Sequence, residues 1–261
     1  MKWMRFRRDG HEGFGTIAGD VISVHAGDMF ASPHATGERI ITSAVEWLTP
    51  CHPGKMLALW NNFRAAADKN GWARPGEPLY FVKAPNSFAA HGATIPLPTS
   101  DVGRVAYEGE LAIVIGRRAK AVSLEDAPAH IFGYTCANDV TAIELLFRDA
   151  SFPQWTRAKG YDGFGPFGPV IETEFDASAA SVRTVVAGRE RQNYALADMF
   201  FGPAELVSRL SRDMTLEAGD VILCGTSLGV LPMKPGSVVE VEIDGIGVLR
   251  NVYGAISQTQ G

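Results

Sequence analysis

Apolar and polar residues alternate in short runs along most of this chain, and few stretches carry the three-and-four spacing of an amphipathic helix. Arg5 to Phe14 leads into Gly15-Thr16-Ile17, and Asp20-Val21-Ile22-Ser23-Val24 alternates again, which predicts short β-hairpins near the N-terminus. Residues 62–69 predict a short helix, capped by Asn61 or Asn62 and stopped at Gly71. The prolines and glycine between Ala73 and Pro78 mark a linker. Beyond it, residues 78–82, 108–115 and 131–137 read as strands, the second with a near-continuous apolar run after Glu110. Ser123-Leu124-Glu125-Asp126 has the form of a helix start, and residues 140–149 read as helical. Pro203 suits a first helical turn, with Leu206, Val207 and Leu210 on one stripe. Val239, Val241 and Ile243 alternate with Glu240 and Glu242 ahead of Asp244-Gly245, which predicts a hairpin closed by a type I′ turn. Strands and short helices without a regular βαβ rhythm predict a β-rich α+β fold.

Composition narrows the function classes. Hydrophobic residues make up 46% of the 261 and charged residues 20%, so a core can be buried. The net charge of -5 and the lack of a basic stripe exclude a nucleic-acid binder. Arg5-Phe6-Arg7-Arg8 is followed by Asp9-Gly10-His11-Glu12, where a signal peptide would place apolar residues. No run approaches the roughly 18 apolar residues of a membrane span. Cys51, Cys136 and Cys224 have no paired spacing, so reduced thiols in a cytoplasmic protein are expected.

Three patterns bear on chemistry. Gly163-Phe164-Gly165-Pro166-Phe167-Gly168 matches GxGxxG, but Pro166 and Pro169 interrupt it and Val170-Ile171-Glu172 reads as a strand, so a loop rather than a dinucleotide site is expected. The histidines show no HxH or HExxH spacing, which leaves zinc unsupported. Carboxylates two apart on a strand share a face and can grip one cation. At Glu172/Glu174 and Glu240/Glu242 a solvated strand face is the better reading. Glu108-Gly109-Glu110 differs, because it sits at the mouth of an apolar strand and Gly109 leaves room for close backbone approach. Asp139 ends another apolar strand, where an aspartate also commonly caps the next helix.

Several ordered stretches carry a resemblance: Tyr80-Phe81-Val82-Lys83-Ala84-Pro85-Asn86-Ser87, Val105 to Gly116 around Glu108-Gly109-Glu110, and Gly133-Tyr134-Thr135-Cys136-Ala137-Asn138-Asp139-Val140. Gln154-Trp155-Thr156-Arg157-Ala158-Lys159-Gly160-Tyr161-Asp162, Met214 to Ile222 and Gly225-Thr226 continue it. Over most of its length the chain resembles the fumarylacetoacetate hydrolase family. That resemblance implies a β-rich roll with short helices, divided into a small N-terminal region and lid over residues 1–72 and a catalytic domain over 73–261. It implies Mg2+ or Mn2+ held by Glu108, Glu110 and Asp139, with Lys159 beside the metal as the catalytic residue. Lys83 and Thr226 match positions that line the family's substrate pocket, Gln154 in a matching stretch is taken as substrate-binding with them, and Arg64, Lys83 and His91 are groups able by their own chemistry to bind a second carboxylate or relay protons. The resemblance also implies a homodimer acting on a small 2-oxo acid, with no membrane partner. Carboxylates and waters make a hard, all-oxygen site suited to such ions, and the metal would stabilise an enolate as a Lewis acid.

The chain departs from the family in one place. Many members carry a lid histidine and glutamate where this sequence has Ala66 and Lys69, with Asp68 at the glutamate position only if the register slips by one. Hydrolysis of a carbon–carbon bond needs a base to activate water, so the loss favours isomerisation or decarboxylation of a 2-hydroxymuconate-type or 2-oxo diacid in aromatic-compound breakdown. An acylpyruvate hydrolase and a non-catalytic metal-binding relative are the competing readings.

Overall fold

The computed structural model describes residues 1–254. Its first four strands, Lys2–Arg8, His11–Ala18, Val21–Ala26 and His34–Ile41, are successive antiparallel neighbours. Asp9 and Gly10 join the first two with φ of 51° and 79°, and Arg8 lies opposite His11, as a type I′ turn requires. Lys2–Arg8 also pairs with Gly165–Glu172, so the N-terminal strands extend a twelve-stranded sheet. From there the order runs Ile131–Asn138, Gly109–Ile115, Val221–Leu223, Met56–Trp60 and Leu79–Lys83. A five-stranded sheet runs from Arg189–Ala195 through Ser181–Val186, Ser237–Ile243 and Gly247–Tyr253 to Thr94–Ile95.

Gly109–Ile115 is buried along its whole length. Leu111, Ile113 and Ile115 share a core with Val182, Val241, Ile243 and Leu249 of the second sheet. Ala112 and Val114 face the other way, among Met56, Ala58, Phe167 and Val221. Burial on both faces explains the apolar run that sequence patterning picked out. Each such aliphatic side chain contributes roughly 1.5–3 kcal/mol. That burial anchors a strand whose N-terminal end carries buried carboxylates.

Four α-helices are present among the described residues: α1 (Arg64–Asn70), α2 (Ile143–Leu146), α3 (Trp155–Lys159) and α4 (Pro203–Asp213). α4 buries Leu206, Val207 and Leu210, as the stripe predicted. α1 ends at Gly71 in the left-handed region, φ 68°, but its cap differs from expectation. The Asn62 side chain turns inward to bond the main chain of Phe201 and the carbonyl of Cys224, while Asp198 Oδ2 accepts the Ala65 N–H at 3.0 Å. The cap thus comes from a residue far away in sequence.

Other local expectations are corrected. The helix expected over 140–149 shrinks to α2, because Thr141 and Ala142 pair with Ala106 and Val105 as strands. The start at Ser123 leads only to a 3-10 turn, Ala127–His130. The GxGxxG stretch is no loop beyond Gly165, where the Gly165–Glu172 strand begins, bonded to Phe88-Ala89 and to Ala137 and Cys136. Glu172 is buried, not solvated, at 7% exposure. Ile243 opposes Gly247, so the last hairpin has a three-residue loop in which only Gly245 of the Asp-Gly pair takes positive φ, 86°. A type II turn, with its Gly at the third position, fits that geometry. Cys51, Cys136 and Cys224 are buried free thiols. No helix among the described residues is long and apolar enough to cross a membrane.

Candidate metal centre

The pairing of two strands assembles the carboxylates. Gly109 lies opposite Asn138 and Glu110 opposite Ala137, so one further step in the same antiparallel register sets Glu108 across from Asp139. The Asp139 N–H donates to the Glu108 carbonyl at 2.8 Å, extending the ladder by that step. Residues two apart on one strand and their directly opposed partners share a face, so all three carboxylates project together. Oxygens from Glu108, Glu110 and Asp139 lie within 4.8 Å of one another.

Gly109 is required between the two glutamates. A Cβ there would stand 2.1 Å from Thr184 Oγ1, on a strand of the second sheet. Its N–H donates to Gln192 Oε1 at 2.9 Å, and its carbonyl accepts from Tyr194 Oη and Thr226 Oγ1 at 2.6 and 3.0 Å. The second sheet therefore clamps the carboxylate-bearing strand through its backbone.

Each carboxylate has a distinct environment. Glu108 is the most open, its side chain 16% exposed, with Thr141 Oγ1 donating to Oε1 at 2.5 Å and Lys159 Nζ donating to Oε2 at 3.0 Å. Glu110 is fully buried. Its Oε2 accepts the Gly225 N–H at 2.6 Å, while Oε1 has no hydrogen-bond partner. Asp139 is also fully buried, its Oδ2 bonded to Lys159 Nζ and its Oδ1 to Lys83 Nζ at 2.6 Å. An orphaned, buried carboxylate oxygen facing two other carboxylates is costly unless a cation completes it. The donor set therefore fits a hard divalent ion. Three carboxylates and two ammonium groups leave one formal negative charge, and a divalent cation would make the centre positive, ready for an anionic ligand.

The titration behaviour follows from these contacts. Burial, then the charges of Asp139 and Glu108, push the Glu110 carboxyl well above its usual range, and burial raises Glu108. Burial also pushes Asp139 up, but Lys159 and Lys83 outweigh it and hold it below normal. Burial pulls Lys159 down, yet Asp139 and Glu108 keep it above its usual value, so it stays an ammonium donor at neutral pH. One consequence is measurable. In chelator, the stability supplied by Glu110 should be full below its ordinary value of 4.5 and be lost as pH rises through the raised one. With Mg2+ or Mn2+ the loss should disappear, because the ion binds the ionised folded form. Thermal melts across pH, with and without metal, check this; parallel curves would count against the centre.

The remaining predicted positions lie in several places. Thr226 is fixed between Gly109 and Gln192 Nε2, at 3.0 and 2.8 Å, on the loop that supplies the Gly225 N–H. Gln154 stands at the N-terminus of α3, one turn before Lys159. Arg64 is exposed, bonded to the Ala197 carbonyl and set over the Phe200 ring, with no contact to the carboxylates. His91 lies tilted against Trp47 and accepts the Arg250 N–H, lining a separate cleft of about 750 Å3 with Arg5 and Arg7. Lys83 is 0% exposed, which moves it from pocket lining to the layer behind Asp139. Thr141, Gln192, Tyr194 and the Gly225 N–H were not anticipated. Packing of the second sheet, the chain after Val221–Leu223 and the chain after Asp139 bring them to the Glu108-Gly109-Glu110 segment, and no local pattern marks them.

Comparison with known proteins gives the family and the fold. Residues 55–253 match the family described as fumarylacetoacetate (FAA) hydrolase, C-terminal. The chain belongs to the fumarylacetoacetate hydrolase family. Residues 1–50 match a region described as Rv2993c-like, N-terminal. The structure of a 5-carboxymethyl-2-hydroxymuconate delta-isomerase from Mycobacterium smegmatis is similar at 36% identity and TM-score 0.90, over 97% of this chain and 99% of that one. A 4-hydroxyphenylacetate degradation bifunctional isomerase/decarboxylase from Salmonella dublin is 38% identical over 201 residues, 76% of this chain and 46% of the relative. A maleylpyruvate hydrolase from Sphingobium, solved with manganese(II) and pyruvate, is similar at 25% identity and TM-score 0.78, over 98% of this chain and 100% of that one. These relatives share the fold and the enzyme family while differing in reaction.

Proposed function

We propose that this protein is a divalent-metal-dependent isomerase or decarboxylase acting on a small 2-oxo or 2-hydroxymuconate-type acid. The observation that carries the proposal is the cluster of buried Glu110 and Asp139 with partly open Glu108, closed by Lys159, with no histidine–glutamate pair on α1. There Ala66 is buried, Lys69 is exposed and Asn62 is committed to main-chain bonds. A Mg2+ or Mn2+ ion held by the three carboxylates would supply Lewis-acid stabilisation of developing negative charge. A solved relative holding manganese and pyruvate supports a 2-oxo acid as the head group.

The chain's own residues divide the remaining work. Lys159 presents a permanent ammonium at the mouth of the cluster, held by Glu108 and Asp139 and set 5.0 Å from the Phe81 ring centroid. It can donate a hydrogen bond to an enolate oxygen and so stabilise the negative charge there. Glu108, the most open carboxylate, keeps its orientation through Thr141. Decarboxylation needs the electron sink and little else, whereas hydrolysis needs a water-activating base that α1 does not supply. The name of the Salmonella relative is what supports a place in aromatic-compound breakdown.

A mass-spectrometric product assay tests the proposal with 2-hydroxyhepta-2,4-diene-1,7-dioate-type, oxaloacetate and acylpyruvate substrates, with Mg2+ and with chelator. The expected product has unchanged mass or has lost CO2, and forms only with metal. Water-adding cleavage to two acids would turn the assignment to hydrolase.

A further inference from the structure

Lys83 is an ionisable side chain with no access to solvent, and the metal-binding role proposed above does not explain it. It ends the Leu79–Lys83 strand at 0% exposure. Its Nζ donates to Asp139 Oδ1 and to the Lys159 carbonyl, both at 2.6 Å. Lys159 in turn bonds the other Asp139 oxygen, so Lys83, Asp139 and Lys159 close a ring of contacts. The same strand also meets Lys159 at its other end. Phe81 shares a face with Lys83, and its ring centroid lies 5.0 Å from the Lys159 ammonium. Room for the buried lysine comes from Gly165, where a Cβ would stand 3.0 Å from Lys83 Cε and 3.2 Å from Ser87 Oγ.

An apolar side chain would fill that space at lower desolvation cost, since a buried ion pair rarely stabilises a fold more than hydrophobic packing does. We infer that Lys83 is a positioning residue: it locks the Asp139 carboxylate in its ligating orientation and ties the backbone of Lys159 to the same point. One buried amine thereby sets a metal ligand and the hydrogen-bond-donating lysine together. The inference rests on the proposed metal site, and it gives Lys83 no contact with substrate.

The sign of the effect separates this role from the alternatives. Removing a partner that orients a metal ligand typically weakens binding about 10–100-fold. Removing a mere neighbouring positive charge would tighten binding, and removing packing alone would leave it unchanged. The experiment is Mn2+ titration of the full chain, followed by electron paramagnetic resonance, for wild type, K83M and K83Q, with circular dichroism as the control for folding. We expect K83M to bind Mn2+ at least tenfold more weakly and K83Q, which keeps a donor, to recover part of the loss. At saturating Mn2+, kcat should fall at least tenfold in K83M while KM stays within about threefold. Unchanged or tighter Mn2+ binding in K83M, or a rise in KM with kcat retained, would overturn the positioning role and leave the metal site standing. Should K83M fail to fold, K83Q carries the test, and wild-type affinity in that variant overturns the role. A wild-type protein that binds no Mn2+ would overturn the metal site and this inference together.

Discussion

Glu110→Gln is expected to lower metal-dependent turnover by roughly a thousandfold while making the metal-free protein more heat-stable. A metal supplies several kcal/mol of charge stabilisation, and each 1.4 kcal/mol or so is tenfold in rate. The amide keeps an acceptor for the Gly225 N–H and nearly the same volume, but it cannot complete an anionic ligand set. Stability should move the other way, because Glu110 is fully buried, leaves Oε1 unpartnered and faces Asp139 and Glu108. Removing that charge in chelator should raise Tm by a few degrees, given about 2–4 °C per kcal/mol for a chain of this size. Added Mg2+ or Mn2+ should then raise the Tm of wild type and not of the variant. Melting curves in chelator and in metal, with turnover beside them, give the answer. A variant that keeps wild-type activity at limiting metal would remove Glu110 from the coordination.

Asp139→Ala should be the most damaging single change to stability at the centre. Asp139 is the shared anion of two buried lysines, with Lys83 on Oδ1 and Lys159 on Oδ2. Removing one partner of a buried ion pair costs roughly 3–5 kcal/mol, because the other charge stays desolvated and unpaired. Here Lys83 would keep only the Lys159 carbonyl, and Lys159 only Glu108. Asp139→Asn keeps a carbonyl acceptor in place and should lose less stability while losing as much metal-dependent turnover. Urea unfolding of the two variants separates the effects. Equal destabilisation by Ala and Asn would mean that charge, not hydrogen bonding, holds the lysines; no destabilisation by Ala would mean that the lysines find other partners.

The two glutamates were legible because their signal is local: Glu-x-Glu at the mouth of an apolar strand places both carboxylates on one face whatever that strand pairs with. Asp139 was legible only as a candidate, since an aspartate ending a strand serves as readily as a helix cap. Resemblance, and then strand register, put it opposite Glu108. Lys159 was named by resemblance, in a segment where no element was predicted, and α3 is only five residues long. Lys83 was named as a pocket residue, and nothing in Val82-Lys83-Ala84 distinguishes a lysine under a site from one beside it.

Errors in the local reading share one cause. Helix patterning over 140–149 gave way to pairing by Thr141 and Ala142, and Asn62, a competent cap, was taken by the main chain of Phe201 and Cys224. In both places partners distant in sequence offered the backbone or the amide better hydrogen bonds than its neighbours could. The Asp9-Gly10 turn, by contrast, follows local φ preference, while at Asp244-Gly245 the strand register chose a three-residue loop.

By itself the sequence determined the β-rich architecture, the buried strand Gly109–Ile115, the helix at Pro203–Asp213 and two carboxylates on one face. These depend on side-chain periodicity and φ preference, which act between neighbours. Tertiary structure alone decided that Gly225 and Thr141 hold the glutamates, that Glu110 keeps an unpartnered oxygen, and that Lys83 lies sealed behind Asp139. Those features arise where strands distant in sequence exclude water from charged groups, and desolvation is a property of the assembled fold rather than of any segment.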